Sequence, residues 1–143
     1  MDEIIQASPA EWEALRVVWS LKQASSKEIS DILLESQGWK NATTKTLLGR
    51  LVKKGYLQTE KDGNRFIYSA TVSEQAGANK RADDLFSSIC SKAVGTTLVE
   101  IIKSKDLSFA DRDLILQALE VKDFVETVSC DCVAHDCETC SHN

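Results

Sequence analysis

The fold is decided by residues 39–70, which read WKNATTKTLLGRLVKKGYLQTEKDGNRFIYSA and change their periodicity once. Before Gly55 four apolar residues recur at helical spacing: Leu47, Leu48, Leu51 and Val52. We therefore predict a helix that starts after Asn41 and ends at Gly55, since glycine is the usual residue just beyond a helix C-terminus. After Gly55 the period falls to two, so residues 56–61 and 65–70 are predicted to be strands joined through Asp62-Gly63-Asn64.

Two further helices are predicted upstream of this segment. Ser8-Pro9-Ala10-Glu11 is a capping box with proline at the first helical position, which predicts a helix over about residues 9–22. Ser25-Ser26-Lys27-Glu28 repeats the capping signature and predicts a second helix that ends near Gly38. Three short helices followed by a hairpin are the order expected of a winged helix-turn-helix.

Helical spacing returns in the second half of the chain. An apolar stripe runs from Ala82 to Ala93 and includes Cys90, which we interpret as a small buried hydrophobic residue. The apolar face continues over residues 98–102, and Ser108 is the predicted N-cap of a last helix. No predicted strand covers these helices. Their apolar faces could fold back on the winged domain, but we expect a second copy of the chain to bury them more easily, in a homodimer.

The predicted fold class is mainly α with a small β-hairpin. A winged helix-turn-helix domain (1–72) is followed by a helical dimerisation region (73–122) and a Cys-rich tail (123–143). A chain of 143 residues suits this organisation better than a large enzyme fold. The sequence also shows no nucleophile with its base and orienting group and no phosphate loop, so an enzyme is not expected.

The charge distribution and the N-terminal residues indicate the compartment and the partner. The N-terminus is acidic where a secretion signal would be basic, and no apolar run approaches a membrane span, so a cytoplasmic protein is expected.

The net charge is −5, but residues 39–65 hold seven basic and two acidic residues, a local charge of +5, which leaves −10 for the remainder. A basic face on an acidic body can bind double-stranded DNA.

The basic window coincides with the predicted third helix and hairpin. Residues spaced by three, seven and ten or eleven positions share the helix face opposite the leucines and can enter a major groove. The candidate DNA-binding residues are Thr43, Thr44, Lys45, Thr46, Arg50, Lys53, Lys54, Lys61 and Arg65. The alternative is a solvated helix face, or a winged helix that binds a protein.

A cysteine cluster stands near the C-terminus. Cys130, Cys132, Cys137 and Cys140 form C-x-C-x₄-C-x₂-C, with His135 and His142 nearby as auxiliary candidates. In a reducing compartment such thiols are more often metal ligands than disulfides. Four thiolates can surround one Zn(II) ion or bridge two Cu(I) ions, and incidental thiols in a disordered tail are the alternative.

With these motifs the chain resembles the copper-responsive repressors of the CopY/TcrY type, within the larger group of BlaI/MecI-like winged-helix repressors. The resemblance covers nearly the whole chain, and residues 44–57, TKTLLGRLVKKGYL, carry it most specifically. Glu11-Trp12-Glu13, Val17-Val18-Trp19, Arg65-Phe66-Ile67-Tyr68 and the cysteine tail add to it.

The resemblance implies a homodimer on a palindromic operator ahead of copper-export genes, held there by Zn(II) and released by Cu(I). It assigns the operator contact to the third helix, and Cys130, Cys132, Cys137 and Cys140 to the metal. A copper chaperone that donates Cu(I) is a further candidate partner. The tail departs from the family pattern, because the usual terminal C-x-C is here Cys137-Glu138-Thr139-Cys140. The rival interpretations are a BlaI/MecI-like repressor inactivated by proteolysis and a metal-buffering or copper-chaperone protein.

Overall fold

A computed structural model describes residues 6–132 of the chain. These residues form two compact units on either side of the Arg81–Ala82 bond. The first unit contains three helices, a small sheet and the first part of a fourth helix, and the second unit is helical.

Local capping signals set the helices of the first unit. Helix α1 spans Pro9–Leu21, and the Ser8 hydroxyl accepts a hydrogen bond from the Glu11 N–H. Helix α2 spans Ser26–Gln37 and starts with the full capping box of Ser25 and Glu28. It ends at Gly38, whose φ of 72° lies in the left-handed region that glycine adopts without steric cost. Helix α3 spans Asn41–Lys53, so all three predicted helices are confirmed.

The sheet of the first unit has one strand more than predicted. Strand β1 spans Gln23–Ser25, β2 spans Leu57–Asp62 and β3 spans Arg65–Ala70. They form an antiparallel sheet in the order β1-β3-β2, with Lys61 opposite Phe66 at the hairpin end. Strand β1 was not predicted because three residues are too short to show a period of two.

The core of this winged unit lies where the helices meet the base of the sheet. Its fully buried members include Leu15, Ile29, Leu48, Leu51 and Leu57, which come from all three helices and from β2. Together the three helices, the sheet and the hairpin form a winged helix-turn-helix, as the fold class predicted.

The helical segments after the sheet differ from prediction in one place. Helix α4 spans Glu74–Ser87, α5 spans Val94–Ser104 and α6 spans Phe109–Val121. The stripe predicted to continue to Ala93 is broken, because Ser88 turns its hydroxyl to the Leu85 carbonyl and a 3₁₀ turn, Ser91–Ala93, follows. Helix α6 begins with a capping box of Ser108 and Asp111, which confirms the predicted N-cap.

Helix length and hydropathy decide whether a segment of residues 6–132 could cross a membrane. No single helix in that range is both long and apolar enough to cross a membrane. The segments Glu74–Ser87 and Ser91–Ser104 reach the required length and hydropathy only when they are taken together, as a bent pair.

Candidate DNA-binding face and thiol cluster

Helix α3 has a buried side and an exposed side. Leu47, Leu48 and Leu51 are buried in the core. The exposed side carries the hydroxyl and basic residues that the sequence nominated for DNA: Thr43, Lys45, Thr46, Arg50 and Lys53. The start of the helix is joined to α2, because the Ser30 hydroxyl donates a hydrogen bond to Asn41 Oδ1.

Two of the threonines predicted to bind DNA, Thr44 and Thr46, have side chains that are buried or hydrogen-bonded within the protein. Thr44 is fully buried among the leucines, and its Oγ1 has no hydrogen-bond partner among residues 6–132. Its assignment to the DNA-binding set is therefore corrected, because a side chain inside the core cannot reach a base. The exposed Thr46 donates its hydroxyl proton to the Ala42 carbonyl, 3.0 Å away, and keeps its lone pairs for a donor such as a base amino group.

Lys54 also has a partner within the protein. Its Nζ lies 2.6 Å from Glu11 Oε2 and 2.9 Å from the Gln6 carbonyl oxygen. Glu11 is only 3% exposed, so this lysine neutralises a carboxylate that is nearly out of water. The structure gives Lys54 a role in the fold, in addition to the phosphate contact predicted from the sequence.

The hairpin of β2 and β3 is the wing, and its end carries the remaining nominated cations. Lys61 is exposed on β2, and Arg65 starts β3. The Arg65 guanidinium lies 3.5 Å from the Asp62 carboxylate across the turn, and both side chains are more than half exposed. An ion pair this exposed contributes little to stability, so Arg65 can exchange its partner for a phosphate at small cost.

Three thiols come together in the second unit. The Sγ atoms of Cys90, Cys130 and Cys132 all lie within 4.8 Å of one another. The Cys90 and Cys130 sulfurs are 3.9 Å apart, far beyond the disulfide bond length of about 2.05 Å. Cys90 and Cys132 are half-buried and Cys130 is exposed. We call these three residues the thiol cluster, and a group of this kind can hold a soft metal ion.

The interpretation of Cys90 as a buried hydrophobic residue is wrong. It does not lie on the apolar stripe of α4, because that helix ends at Ser87. Cys90 is instead the residue before the 3₁₀ turn, and its sulfur lies beside the tail cysteines. The sequence did contain a signal, because Cys90 is a fifth cysteine in addition to the four of the tail. It was not considered as a ligand because it was placed on a predicted helix.

Backbone and carboxylate contacts hold the tail at the cluster. The Ser91 N–H donates a hydrogen bond of 2.7 Å to Asp131 Oδ1, between the two tail cysteines. Hydrogen bonds from the side chain and the backbone of Ser91 lower the pKa of the Asp131 carboxyl. The Cys132 N–H points to Cys130 Sγ at 3.4 Å. The other tail residues of the predicted metal site, Cys137 and Cys140, lie outside the described residues, as do His135 and His142.

Several known proteins are similar in sequence to this chain. Residues 7–121 match the penicillinase repressor family. The chain is 41% identical over 135 residues to an uncharacterised 16.5 kDa protein of the ptsI 3′ region of Latilactobacillus sakei, covering 93% of this chain and 92% of that protein. It is 28% identical over 103 residues to the methicillin resistance regulatory protein MecI of Mammaliicoccus sciuri, covering 72% and 84%. The solution structure of the DNA-binding domain of the repressor BlaI is 34% identical, covering 53% and 93%, with a TM-score of 0.49.

The fold and its exposed basic helix define a winged-helix DNA-binding protein. The family match extends over most of the chain, and the chain belongs to the penicillinase repressor family. It is thus a DNA-binding transcriptional repressor and not an enzyme, as the sequence predicted.

Proposed function

We propose that this repressor is a metal sensor, which binds a palindromic operator as a homodimer in its Zn(II) form and leaves it when Cu(I) binds the C-terminal cysteines. The observation that carries the proposal is the thiol cluster on a chain of a repressor family. Thiolates are the soft ligands that select Cu(I) and Zn(II) over Mg²⁺ or Ca²⁺. The genes repressed are then those that export copper.

The proposed operator contacts follow the exposed basic surface. Thr43, Lys45, Thr46, Arg50 and Lys53 enter the major groove on α3, while Lys61 and Arg65 contact flanking phosphates from the wing. Helix residues with short hydroxyls and a guanidinium suit base edges, and lysines suit the phosphate backbone. Lys54 contributes positive charge near the backbone while it holds Glu11.

The proposed homodimer forms through residues 73–122, and the tail, residues 123–143, holds the metal. Neither α5 nor α6, both within the described residues, contributes a buried side chain. Large apolar side chains are instead exposed along both helices: Leu98, Val99, Ile101, Ile102, Leu114, Leu116 and Leu119. Helices of 11 and 13 residues without a core are marginal alone, and a symmetric second copy supplies the missing contacts.

The fit of the thiol cluster to a metal can be tested on its geometry. Sulfurs bound to one tetrahedral Zn(II) at about 2.3 Å lie about 3.8 Å from each other. The 3.9 Å between Cys90 and Cys130 is close to that separation, and Cys132 lies within 4.8 Å of both. The three residues therefore fit a thiolate-bound metal, and they would hold it while Asp131 fixes the segment between them. The chemistry supplied by the metal is a change of coordination number, since Zn(II) prefers four ligands and Cu(I) accepts two or three.

The decisive experiment is a titration of the zinc-loaded protein on operator DNA with Cu(I), in which released DNA and released zinc are recorded together. We expect both to be released in parallel, with no protease present. DNA that stays bound until a protease cleaves the chain would instead support a BlaI/MecI-like repressor with incidental cysteines. Copper uptake without any sequence-selective duplex binding would support a metal-buffering or copper-chaperone protein.

The proposed setting is the cytoplasm, where thiols stay reduced and Cu(I) is the stable copper ion. A copper chaperone is the proposed donor of Cu(I). Transfer from a Cu(I)-loaded chaperone to the zinc-loaded repressor, followed by zinc release, would test this step. A repressor that takes Cu(I) only from a small-molecule complex would contradict it.

A further inference from the structure

The thiol cluster indicates a site that the spacing of the tail cysteines did not predict. Cys90 lies 40 positions before Cys130 in the chain, yet its sulfur is at 3.9 Å from that of Cys130. It stands between the end of α4 at Ser87 and the 3₁₀ turn that leads into α5. A thiol at this position belongs to the helical part of the unit and not to the tail.

Contacts between protein atoms alone hold the tail at the thiol cluster. Asp131 accepts a hydrogen bond from the first N–H of the 3₁₀ turn, and this bond holds the residue between Cys130 and Cys132 at Ser91. The Cys132 N–H is directed at Cys130 Sγ, 3.4 Å away, so the two tail cysteines also contact each other. Three sulfurs are thereby brought to one point from two segments of one chain.

We propose that Cys90 is a metal ligand, and that Cys90, Cys130 and Cys132 of the same chain form a three-thiolate site for a soft metal ion. This inference rests on the proposed function and deepens it, because it names the ligand set and places it within one protomer. Three thiolates complete the coordination of Cu(I), whereas Zn(II) takes a fourth ligand. The site fastens the tail to the start of α5, the helix with the exposed apolar face. Metal exchange is thereby linked to the proposed dimer helices.

The first test measures metal binding by the full-length chain with Cys90→Ser. Cu(I) affinity is read by competition with a chromophoric chelator, and thiolate number by the sulfur-to-metal charge-transfer absorption of the Co(II) form. We expect at least about a tenfold loss of Cu(I) affinity, and a weaker charge-transfer band. The control, Ser88→Cys combined with Cys90→Ser, keeps five cysteines but moves one thiol by two positions, and we expect it to behave like Cys90→Ser.

The outcomes separate this inference from the function on which it rests. Wild-type affinity and absorption in Cys90→Ser, with loss in Cys130→Ser, would overturn the role of Cys90 and leave the sensor proposal standing. A loss of affinity in Cys90→Ser would support Cys90 as a ligand, whatever the wild-type protein does on DNA. Operator binding by the wild type that did not respond to copper would overturn the sensor proposal alone. Circular dichroism of each variant checks that a loss of binding does not come from unfolding.

A second test asks whether the site lies within one chain. Protomers carrying Cys90→Ser are mixed and exchanged with protomers carrying Cys130→Ser and Cys132→Ser. If each site uses one chain, no mixed dimer recovers a high-affinity Cu(I) site. Recovery of one such site per mixed dimer would show ligands shared between two chains and overturn the within-chain assignment.

Discussion

Lys54 Nζ lies 2.6 Å from Glu11 Oε2 and thereby joins the end of helix α3 to the first turn of α1. The Glu11 side chain is 5% exposed and the Lys54 side chain 38% exposed, so the carboxylate is the group that depends on the pair. The lysine also holds the carbonyl of Gln6, and the Gln6 N–H donates to the Tyr56 hydroxyl. Lys54, one of the basic residues of the window 39–65, thus stabilises the contact between α1 and α3, the helix that carries other basic residues of that window.

Lys54→Met should lower the free energy of unfolding by about 2 kcal/mol, because it leaves a buried carboxylate without its cation. Lys53→Met, one position earlier and exposed, should change stability by less than about 0.5 kcal/mol and should weaken operator binding. Urea denaturation and a DNA-binding assay on both variants measure the contrast. Equal stability of the two variants would mean that the Glu11 contact contributes nothing.

Arg50→Ala should abolish detectable operator binding while the dimer and its metal content stay intact. Arg50 lies on the exposed side of α3, outside the core of the winged unit, and a bidentate contact to guanine is worth about 1–3 kcal/mol at each half-site. If each protomer neutralises about four phosphates, the wild-type dimer should show a log–log salt slope of about −7. Unchanged affinity in Arg50→Ala would remove α3 from its proposed role.

Thr44→Val should raise the free energy of unfolding by about 1 kcal/mol and leave operator affinity unchanged. The Thr44 hydroxyl is buried and lacks a hydrogen-bond partner among the described residues, and an unsatisfied buried hydroxyl costs about 1–3 kcal/mol. Valine has the same shape without that cost. A fall in DNA affinity at constant stability would restore Thr44 to the DNA-binding set.

Gly77→Ala should destabilise the winged unit by about 1–3 kcal/mol. An added Cβ would lie 2.8 Å from Trp12 Cη2 and 3.0 Å from Trp19 Cη2, and these rings already pack edge to face with centroids 5.1 Å apart. The matched control is Gly49→Ala on α3, where an added Cβ meets nothing within 4 Å and alanine favours the helix by about 1 kcal/mol. Thermal unfolding should move in opposite directions for the two variants. A shift of the same sign in both would show that the tryptophan pair yields to a methyl group.

Leu98→Glu combined with Ile102→Glu should convert the proposed dimer into a monomer with much weaker operator binding. Both side chains are 44% exposed in the single chain, so the change places charge in the proposed interface without disturbing a buried core. Thr96→Glu combined with Lys103→Gln makes the same change in net charge on α5 and serves as the control. Sedimentation velocity gives the mass of each variant. A double-glutamate variant that stays dimeric would place the interface outside α5.

The candidate site was predictable to different degrees. The exposed side of α3 followed from the spacing of its leucines, and the same spacing places Thr44 with Leu47, Leu48 and Leu51 on the buried side. The burial of Thr44 could therefore have been predicted, whereas the partner of Lys54 could not, because Glu11 is 43 positions away in the chain. Cys90 was assigned to the core because the apolar stripe was extended past Ser87, where hydroxyl groups end the helix.

The sequence by itself determined the helices of the winged unit, the capping boxes, the hairpin and the basic window, because each of these depends on residues within one or two turns of the chain. The capping boxes at Ser25 and Ser108 and the glycine at position 38 are examples. The tertiary structure decided which distant residues meet: β1 with β3, Lys54 with Glu11, and Cys90 with Cys130 and Cys132. Such pairs depend on chain closure over tens of residues, which leaves no periodic signal in the sequence.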